Sequence, residues 1–331
     1  MDNVLLITTD GEELFGEITI DEKVYFTQKK VSNVDYIITP TFFNSHVHLG
    51  DSVAKDPEFM RLEQLVGPNG FKFSVLKRAN EKDVVASIKK SIETALECGT
   101  SNLADFREGG TKGLELLKKA DTKNVCVKLA RPSNIEEAEL MECIDGFGLS
   151  STRDHDFSFL EELRDFAKRK KLLFAIHAGE RDDDDVERAL SLNPDLIVHM
   201  NMASIKNLKR AIDEAIPIVS CPKSNVFFDL FNRKNYSILS NYNLWLMGTD
   251  NVMISTPCML SEINFASYLI KKDKEIFRAA VRGFNVFKRH HKLIVFHTKG
   301  NLYKANSLRS VVRRANVKDI LQIIEGELLI E

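Results

Sequence analysis

His46 and His48 are separated by one residue and are the side chains of this sequence whose type and spacing best suit metal chemistry. They follow the apolar run Tyr36 to Ile38, which is typical of a β-strand. Residues two positions apart on a strand point to the same side, so both imidazoles would face one space. Neutral imidazole is a common ligand of zinc and related metals. A His-x-His pair also occurs on ordinary surfaces, so the remaining ligands must come from elsewhere in the chain.

Three later side chains, His177, His199 and Asp250, each stand at or just after the end of an apolar, strand-like run. Each has a structural interpretation when taken alone, as a core histidine bonded to the backbone or as a helix cap. Together with His46 and His48 they place four histidines and one aspartate at predicted strand ends. This joint pattern favours a metal site.

The elements that would position these residues form a βα pattern that begins near residue 40. Strand-like runs alternate with longer amphipathic runs, such as residues 81–97, as expected for a parallel sheet. The predicted strands are the C-terminal part of Tyr36 to His48, Asn102 to Phe106, Val125 to Ala130, Ile144 to Leu149, Leu173 to His177, Leu196 to His199, Ile216 to Ser220 and Leu244 to Gly248.

Eight strands that alternate with helices over ~250 residues predict an α/β protein with a closed (β/α)8 TIM barrel. An open doubly wound sheet is the alternative, but no Gly-x-Gly-x-x-Gly motif follows the first strand. In a parallel barrel, the side chains at the carboxyl ends of the strands gather at one face. The predicted fold would therefore bring the candidate ligands together.

Shorter strand-like segments flank the barrel at both ends of the chain. Neither end is large enough to fold alone. We therefore predict that residues 1–39 and 290–331 pair into one small β-sandwich-like domain beside a barrel of residues 40–289. Within the barrel, residues 52–73 are predicted to form a long mobile loop, and the acidic run at 182–185 is predicted to be a solvated helix start.

The composition indicates a soluble cytoplasmic protein without a nucleic-acid or membrane partner. The formal net charge of -2 gives no indication of a basic surface that would bind nucleic acid or an anionic membrane. No apolar run approaches the ~20 residues of a membrane span. The five cysteines are scattered and contain no Cys-x-x-Cys pair, which favours a reducing compartment. Assembly into a homo-oligomer is left open.

The candidate residues lie within motifs that resemble those of the amidohydrolase superfamily, over most of the chain. The closest branch is the aminohydrolases, which include cytosine, guanine and adenosine deaminases and chlorohydrolase-like enzymes. The segments His177 to Glu180 and Cys221 to Asn225 resemble stretches of adenosine deaminase. The two-part β domain and the segment Gly248 to Asn251 are similar to the cytosine-deaminase and chlorohydrolase group.

This resemblance implies that His46, His48, His177 and Asp250 hold one divalent metal ion, with Zn2+ expected before Fe2+. Binuclear members carry a bridging lysine or glutamate at the end of strand four. Residues 148–151 contain neither, so a single ion is expected. The remaining histidines, His155, His290, His291 and His297, are predicted to lie on the surface.

The resemblance also implies catalytic roles for Glu180, His199 and Asp250. Asp250 would accept a proton from the attacking water, and His199 would orient the nucleophile and stabilise the developing negative charge. Glu180 would protonate a ring nitrogen and pass a proton to the leaving amine. Four residues near the strand ends are candidate substrate-binding residues. They are Ser224, Asn225, Arg107 and Arg131.

The resemblance therefore implies a mononuclear metal-dependent deaminase with a small-molecule substrate, an amino-substituted nitrogen heterocycle such as a purine or pyrimidine, from which it releases ammonia. The same scaffold would also serve hydrolysis of another C–N bond, such as a cyclic amide or imino group, or of a C–halide bond. A non-catalytic protein with a relic metal site is the alternative from another class.

Overall fold

The computed structural model describes residues 1–67 and 69–330, so Pro68 and Glu331, which fall within the predicted loop and the predicted small domain, lie outside the described residues. The strands are β1 Val4–Ile7, β2 Glu13–Ile20, β3 Val24–Gln28, β4 Tyr36–Pro40, β5 Phe42–His48, β6 Thr100–Arg107, β7 Cys126–Ala130, β8 Gly146–Leu149, β9 Leu173–Ala178, β10 Leu196–His199, β11 Ile218–Ser220, β12 Trp245–Met247, β13 Asp250–Asn251, β14 Leu293–His297, β15 Ile320–Ile324 and β16 Leu328–Ile330.

The α-helices are α1 Leu62–Val66, α2 Phe71–Arg78, α3 Glu81–Glu97, α4 Gly110–Ala120, α5 Ile135–Leu140, α6 Phe157–Lys170, α7 Val186–Ser191, α8 Ile205–Asp213, α9 Pro222–Phe227, α10 Arg233–Leu239, α11 Met259–Ile270, α12 Asp273–Val281, α13 Gly283–Val286 and α14 Leu308–Arg314. Short 3-10 helices lie at Leu49–Val53, Gly300–Leu302 and Val317–Asp319. Among the described residues, no helix has the length and apolar character needed to cross a membrane.

Strands β5 to β12 form a parallel sheet in which each strand pairs with the next along the chain. The short strand β13 follows β12 and pairs with β5, with Asp250 opposite Val47 and Asn251 opposite His48. This pairing closes the sheet into a (β/α)8 barrel. The predicted fold class is therefore confirmed, and each predicted barrel strand coincides with an observed one, within a few residues at its ends.

The helices cover the outside of the barrel because each presents one apolar stripe to it. Helix α3 buries Val84, Ile88 and Ile92 against the sheet, at the spacing that the sequence predicts. Asn80 caps its start by accepting a hydrogen bond from the backbone N–H of Asp83. Because both faces of the parallel strands are covered, the strands are buried along nearly their whole length.

The two ends of the chain form a separate flanking sheet, as predicted. Its strand order is β15-β14-β4-β1-β2-β3-β16. Strand β4 pairs with β1 in parallel and with β14 antiparallel, which joins the N-terminal and C-terminal segments directly before the barrel begins. Buried apolar residues form a core cluster in this terminal sheet. They are Val4, Leu6, Ile18, Val24, Phe26, Ile38, Leu293, Val295 and Ile324.

The segment that follows His48 differs from the predicted long loop. It contains a 3-10 helix and the helices α1 and α2, which are five and eight residues long. Helices this short depend on tertiary contacts rather than on their own propensity. One such contact is made by Lys72 of α2, which is buried and pairs with Asp51 and Glu108. The prediction was wrong because these contacts join residues far apart in sequence.

Candidate metal centre and active-site cavity

Five side chains singled out by the sequence, His46, His48, His177, His199 and Asp250, converge at the carboxyl end of the barrel. Nε2 of His46 lies 3.1 Å from Oδ1 of Asp250 and 3.2 Å from Nε2 of His177. Nε2 of His48 lies 3.6 Å from the same Asp250 oxygen. We call these five residues the strand-end cluster.

The spacing within the strand-end cluster fits a bound divalent metal. Ligand atoms at about 2.1 Å from a tetrahedral centre lie about 3.4 Å apart, and the separations here are 3.1, 3.2 and 3.6 Å. Nδ1 of His177 is 2.6 Å from the Leu149 carbonyl oxygen, and Nδ1 of His48 is 3.1 Å from that of Phe106. A proton on each Nδ1 satisfies these carbonyls and leaves the Nε2 lone pairs facing the cluster, as metal binding requires.

Asp250 is positioned by contacts between the first barrel strand and the end of the last. The Asn44 side chain donates to Oγ1 of Thr249 at 2.7 Å and accepts from the Thr249 backbone N–H at 3.0 Å. Gly248 permits this approach, because a Cβ atom there would lie 2.7 Å from the backbone of His46. Asp250 then takes a positive φ of 59°, a conformation that is uncommon outside glycine and concentrates at functional sites.

Burial keeps three histidines of the cluster, His46, His177 and His199, neutral. Desolvation lowers the pKa of His46 to about 3 and that of His199 to about 4, and it holds the pKa of His177 well below its ordinary value. Burial alone would raise the pKa of Asp250, but its hydrogen bond with His46 and the surrounding imidazoles hold this pKa well below the ordinary value. Neutral imidazoles beside an ionised carboxylate are a suitable donor set for a divalent cation.

Glu180 lies three residues after His177 and faces the cluster from the side of the cavity. Its Oε1 is 3.5 Å from Nε2 of His199. Burial and then the negative charge of Asp250 raise the pKa of Glu180 well above the ordinary glutamate value. The turn that carries Glu180 is held by Asp185, which accepts the Gly179 backbone N–H at 2.9 Å. This geometry offers a protonated carboxyl group at the edge of the cluster.

The predicted substrate-binding residues Ser224 and Asn225 lie behind the cluster, on α9. Oγ of Ser224 donates to Oδ2 of Asp250 at 2.5 Å. Asn225 accepts the Tyr236 hydroxyl at 2.6 Å, and its Nδ2 lies 3.5 Å from Nδ1 of His199. Their observed contacts therefore orient the cluster residues Asp250 and His199. Direct contact with a substrate remains a prediction for both.

The two predicted arginines have different surroundings. Arg107 is buried, and its Nε donates to the Glu108 carbonyl at 3.0 Å. It packs against Gly50, where any Cβ atom would overlap the guanidinium group. Arg131 instead lines the cavity, and its Nε donates to the Gly148 carbonyl at 3.1 Å. Of these two residues, Arg131 is the one that faces the space available to a substrate.

A cavity of about 700 Å³ lies over the strand-end cluster. Its floor includes His48, His177, His199 and Asp250, and one wall is built from α1 and α2. The volume lies within the range of roughly 300–1,000 Å³ that is usual for small-molecule sites. The arrangement thus combines a candidate metal centre, a neutral acid and enclosed space for a small molecule.

Lys72 and His155 belong to the site although the sequence did not assign them to it. Nζ of Lys72 is 2.5 Å from Oε1 of Glu108, and that oxygen is 2.9 Å from Nδ1 of His48. His155 was predicted on the surface, but it is half-buried, lines the cavity and places its Nε2 3.0 Å from Oγ of Ser150. The sequence did contain one indication of this position, because His155 follows shortly after β8, the fourth strand of the barrel. Lys72 gave none, because its partners are distant in sequence.

The acidic run at 182–185 also differs from its predicted role as a solvated helix start. Helix α7 does begin at Val186, but Asp185 is buried and accepts the Ser151 hydroxyl at 2.6 Å as well as the Gly179 N–H. Asp183 accepts the backbone N–H of Ser204 at 2.6 Å. Two of the four aspartates therefore hold together the loops beside the cavity.

Comparison with known proteins supports this description. The model of the amidohydrolase family matches residues 37–281. A protein of Archaeoglobus fulgidus named "Putative aminohydrolase" is 44% identical over 321 residues, which is 97% of this chain and 95% of that protein. An identity this high over almost the whole of both chains indicates common descent.

Two solved structures have similar folds. An adenosine deaminase from Xanthomonas campestris with bound zinc has a TM-score of 0.76 at 14% identity, and the match covers 97% of this chain and 91% of that one. A guanine deaminase from C. acetobutylicum with guanine in its active site has a TM-score of 0.71 at 15% identity, covering 97% of each chain. At these identities the likeness is one of fold.

Proposed function

This chain belongs to the amidohydrolase family, and we propose that it is a mononuclear metal-dependent deaminase acting on an amino-substituted nitrogen heterocycle such as a purine or pyrimidine. The observation that carries the proposal is the position of Glu180 beside His199, at the edge of the strand-end cluster. The solved structures of similar fold include an adenosine deaminase and a guanine deaminase. Their names support an amino-substituted ring as the substrate.

We assign His46, His48, His177 and Asp250 to one divalent metal ion, Zn2+ before Fe2+. The 3.1–3.6 Å separations of their inward-facing atoms support this assignment. When bound, the metal would supply a Lewis acid that lowers the pKa of a water ligand from 15.7 toward about 7. A single ion is proposed because residues 148–151, at the end of β8, the fourth strand of the barrel, include no lysine or glutamate.

His199 would donate a hydrogen bond to the oxygen that gains negative charge during the reaction. The Asn225 amide nitrogen faces Nδ1 of His199 at 3.5 Å, so the proton of the neutral ring belongs on Nε2. That Nε2 faces Glu180 and the cavity. The low pKa of His199 keeps it neutral, and its φ of 79° is a strained backbone conformation of the kind found at functional sites.

Glu180 and Asp250 would move the protons. Asp250 is ionised and would accept a proton from the attacking water, while protonated Glu180 would donate to the ring nitrogen next to the reacting carbon. A C–O bond then forms at that carbon and its C–N bond breaks. Of the two protons of the attacking water, one passes to the leaving amine, which departs as ammonia, and the other returns to Glu180, so that both carboxyl groups regain their starting states. The overall reaction thus converts water and the amino compound into ammonia and the oxygenated ring.

Arg131 is the predicted substrate-binding residue whose position best supports that role. For Arg107, Ser224 and Asn225 we propose an indirect effect on substrate, exerted through their hydrogen-bond partners Glu108, Asp250 and His199.

We also propose that the chain consists of a small domain of residues 1–39 and 290–331 and a barrel of residues 40–289, and that the protein is cytoplasmic.

The proposal is tested by measuring ammonia release from zinc-loaded protein on aminated purines, pyrimidines, pterins and nucleosides. Glu180→Gln is the test variant. Glu63→Gln is the matched control, because Glu63 also lines the cavity but is over half exposed and pairs with Arg181. We expect turnover that falls by roughly 10²–10⁴-fold in Glu180→Gln and by less than about threefold in Glu63→Gln.

Turnover that survives in Glu180→Gln would overturn the assigned role of this residue. If no compound of the panel releases ammonia although elemental analysis confirms bound metal, the deaminase proposal is overturned. The reaction would then be assigned to another C–N bond or to a C–halide bond. If no ammonia is released and no metal is bound, the result would instead favour a non-catalytic protein with a relic metal site.

A further inference from the structure

Among the described residues, four cationic side chains line the cavity, and carboxylates of the protein neutralise three of them. Lys72 is 2.5 Å from a Glu108 oxygen, and Arg181 is 2.8 Å from an Asp182 oxygen. Arg153 also pairs with Asp182. Each of these charges has a carboxylate in direct contact, so none of the three is free to bind an anionic ligand without losing a partner.

Arg131 is the fourth cation and differs from the other three. Its Nε donates to the Gly148 carbonyl, which fixes the plane of the guanidinium group. Its closest approach to a carboxylate is 3.8 Å, from Nη1 to Oε1 of Glu108, and that oxygen is already 2.5 Å from Lys72 and 2.9 Å from His48. In the described part of the chain, neither terminal nitrogen of Arg131 has a hydrogen-bond acceptor, although the side chain is only 16% exposed.

Two further polar groups line the same side of the cavity, just after β8, the fourth strand of the barrel. Oγ of Ser150 and Nε2 of His155 are 3.0 Å apart. Burial and then the positive charge of Arg131 lower the pKa of His155, as expected for two groups on the same side of the cavity. The neighbouring carboxylate of Asp154 is exposed and makes no ion pair with Arg131 within the described residues. We call Arg131, Ser150 and His155 the anion corner.

We infer that the substrate carries an anionic group, a carboxylate or a phosphate, that binds to the anion corner while its amino-substituted ring lies over the strand-end cluster. This inference rests on the proposed function and specifies its substrate class. The planar guanidinium group presents two N–H donors to two oxygen atoms, the geometry that carboxylates and phosphates match. An anion there would satisfy the terminal nitrogens of Arg131 that the protein leaves without an acceptor.

The two sites are close enough for one small molecule to contact both. Ser150 follows Leu149, whose carbonyl holds the ring of His177 at 2.6 Å. The anion corner and the strand-end cluster line the same cavity of about 700 Å³. A space of this size exceeds the need of a bare heterocycle and accommodates a ring together with a charged substituent.

The experiment measures the binding of matched probes by titration calorimetry. Each set shares one nucleoside and differs only at the 5′ position, which carries a hydroxyl, a carboxylate or a phosphate. One set is built on adenosine and one on cytidine. All measurements use the zinc-loaded Glu180→Gln background, so that turnover does not consume the probe. We expect at least one anionic probe to bind about tenfold or more tightly than its neutral counterpart.

Adding Arg131→Gln is expected to reduce that ratio to about one, whereas Arg131→Lys retains part of it. Arg153→Gln is the matched control and keeps the ratio, because Arg153 lines the same cavity but is already paired with Asp182. The more favoured of the two anions distinguishes a carboxylate substrate from a phosphate substrate. Equal binding of neutral and anionic probes, no binding of any probe, or a ratio unaffected by Arg131→Gln would each overturn the inference.

Ammonia release from the same probes by the protein with Glu180 intact separates the two proposals. Turnover without any preference for charge would overturn the anion corner and leave the deaminase standing. Preferential binding of the anionic probes that depends on Arg131, with no ammonia released, would support the anion corner and count against deamination.

Discussion

The terminal sheet and the carboxyl end of the barrel differ in the kind of side chain that they bury. The core of the terminal sheet is apolar, and its ion pairs lie outside, as Lys23 and Glu327 do with side chains 47% and 67% exposed. The carboxyl end of the barrel buries many ionisable groups almost completely. They include His46, Asp51, Lys72, Asp105, Arg107, Glu108 and Asp250.

This difference indicates what each region is arranged for. Taking an ionisable group out of water is costly unless it is paired and hydrogen-bonded, and replacing buried ion pairs by apolar residues is often neutral or stabilising. A fold would not gather such groups at one place for stability alone. We therefore expect substitutions in the terminal sheet to change stability, and substitutions in the strand-end cluster to change turnover.

The largest effect on stability is expected from Phe26→Ala in the terminal sheet. Phe26 is completely buried, and its removal leaves a cavity. The free energy of unfolding should fall by about 3–5 kcal/mol in denaturant titrations. The turnover number per folded molecule should stay unchanged, and a decrease in it would show that the two regions are not separable.

The converse variant, His199→Asn, is expected to act on turnover. It removes the proposed hydrogen-bond donor and should lower kcat by about 10²–10³-fold, which corresponds to about 2.7–4 kcal/mol of transition-state stabilisation. Its free energy of unfolding should change by only about 1 kcal/mol, because one side-chain hydrogen bond contributes about that much and asparagine tolerates the positive φ of this position. A variant that is equally active, or one that unfolds, would contradict the comparison.

A pH effect should arise from Glu262, which is fully buried behind the cluster and accepts the Lys223 backbone N–H at 2.9 Å. Burial raises its pKa to about 7. An unfolded glutamate titrates near 4.3, so between about pH 4.5 and 7 the folded chain holds a proton that the unfolded chain has lost, and stability falls as pH rises.

The variant Glu262→Gln cannot ionise and should lack this fall. Its stability relative to the unsubstituted protein should increase across the same window and level off above pH 7, with a total difference of up to about 3 kcal/mol. Thermal or denaturant unfolding at a series of pH values measures it. Parallel pH profiles for the two proteins would show that Glu262 titrates normally in the folded state.

The smallest effect is expected from Lys23→Met. The Lys23–Glu327 ion pair is 2.9 Å long but exposed, and an exposed pair contributes little to the free energy of unfolding because water and salt screen the charges. Unfolding at low and high salt measures the change, which should shrink as salt screens the charges. A loss comparable to that of Phe26→Ala would show that charge matters more in the terminal sheet than its apolar core suggests.

The sequence predicts the barrel well because each strand is a short apolar run bounded by turn residues. The convergence of His177 and Asp250 with His46 followed from one rule, that parallel strands end at the same face. Neither step needed knowledge of particular side-chain contacts.

What the sequence did not predict depends on such contacts. Helices α1 and α2 are too short to be specified by their own residues, and the pairing of Lys72 with Glu108 spans 36 positions. Ser224 and Asn225 were identified as site residues, but only the structure shows that they contact Asp250 and His199. The lack of a hydrogen-bond acceptor at the terminal nitrogens of Arg131, within the described residues, is likewise visible only when its neighbours are known.

The proposed metal centre is tested most directly by its stoichiometry, because the strand-end cluster should hold one divalent metal ion per chain. Chelator-treated protein is dialysed against Zn2+ or, anaerobically, Fe2+, and elemental analysis then gives the bound metal per chain. His177→Asn and Asp250→Asn are the test variants, and His291→Asn, a half-buried histidine outside the cluster, is the control. We predict one equivalent in the unsubstituted protein and in His291→Asn, and little in the other two. No stoichiometric metal in the unsubstituted protein, or full retention in His177→Asn and Asp250→Asn, would contradict the account.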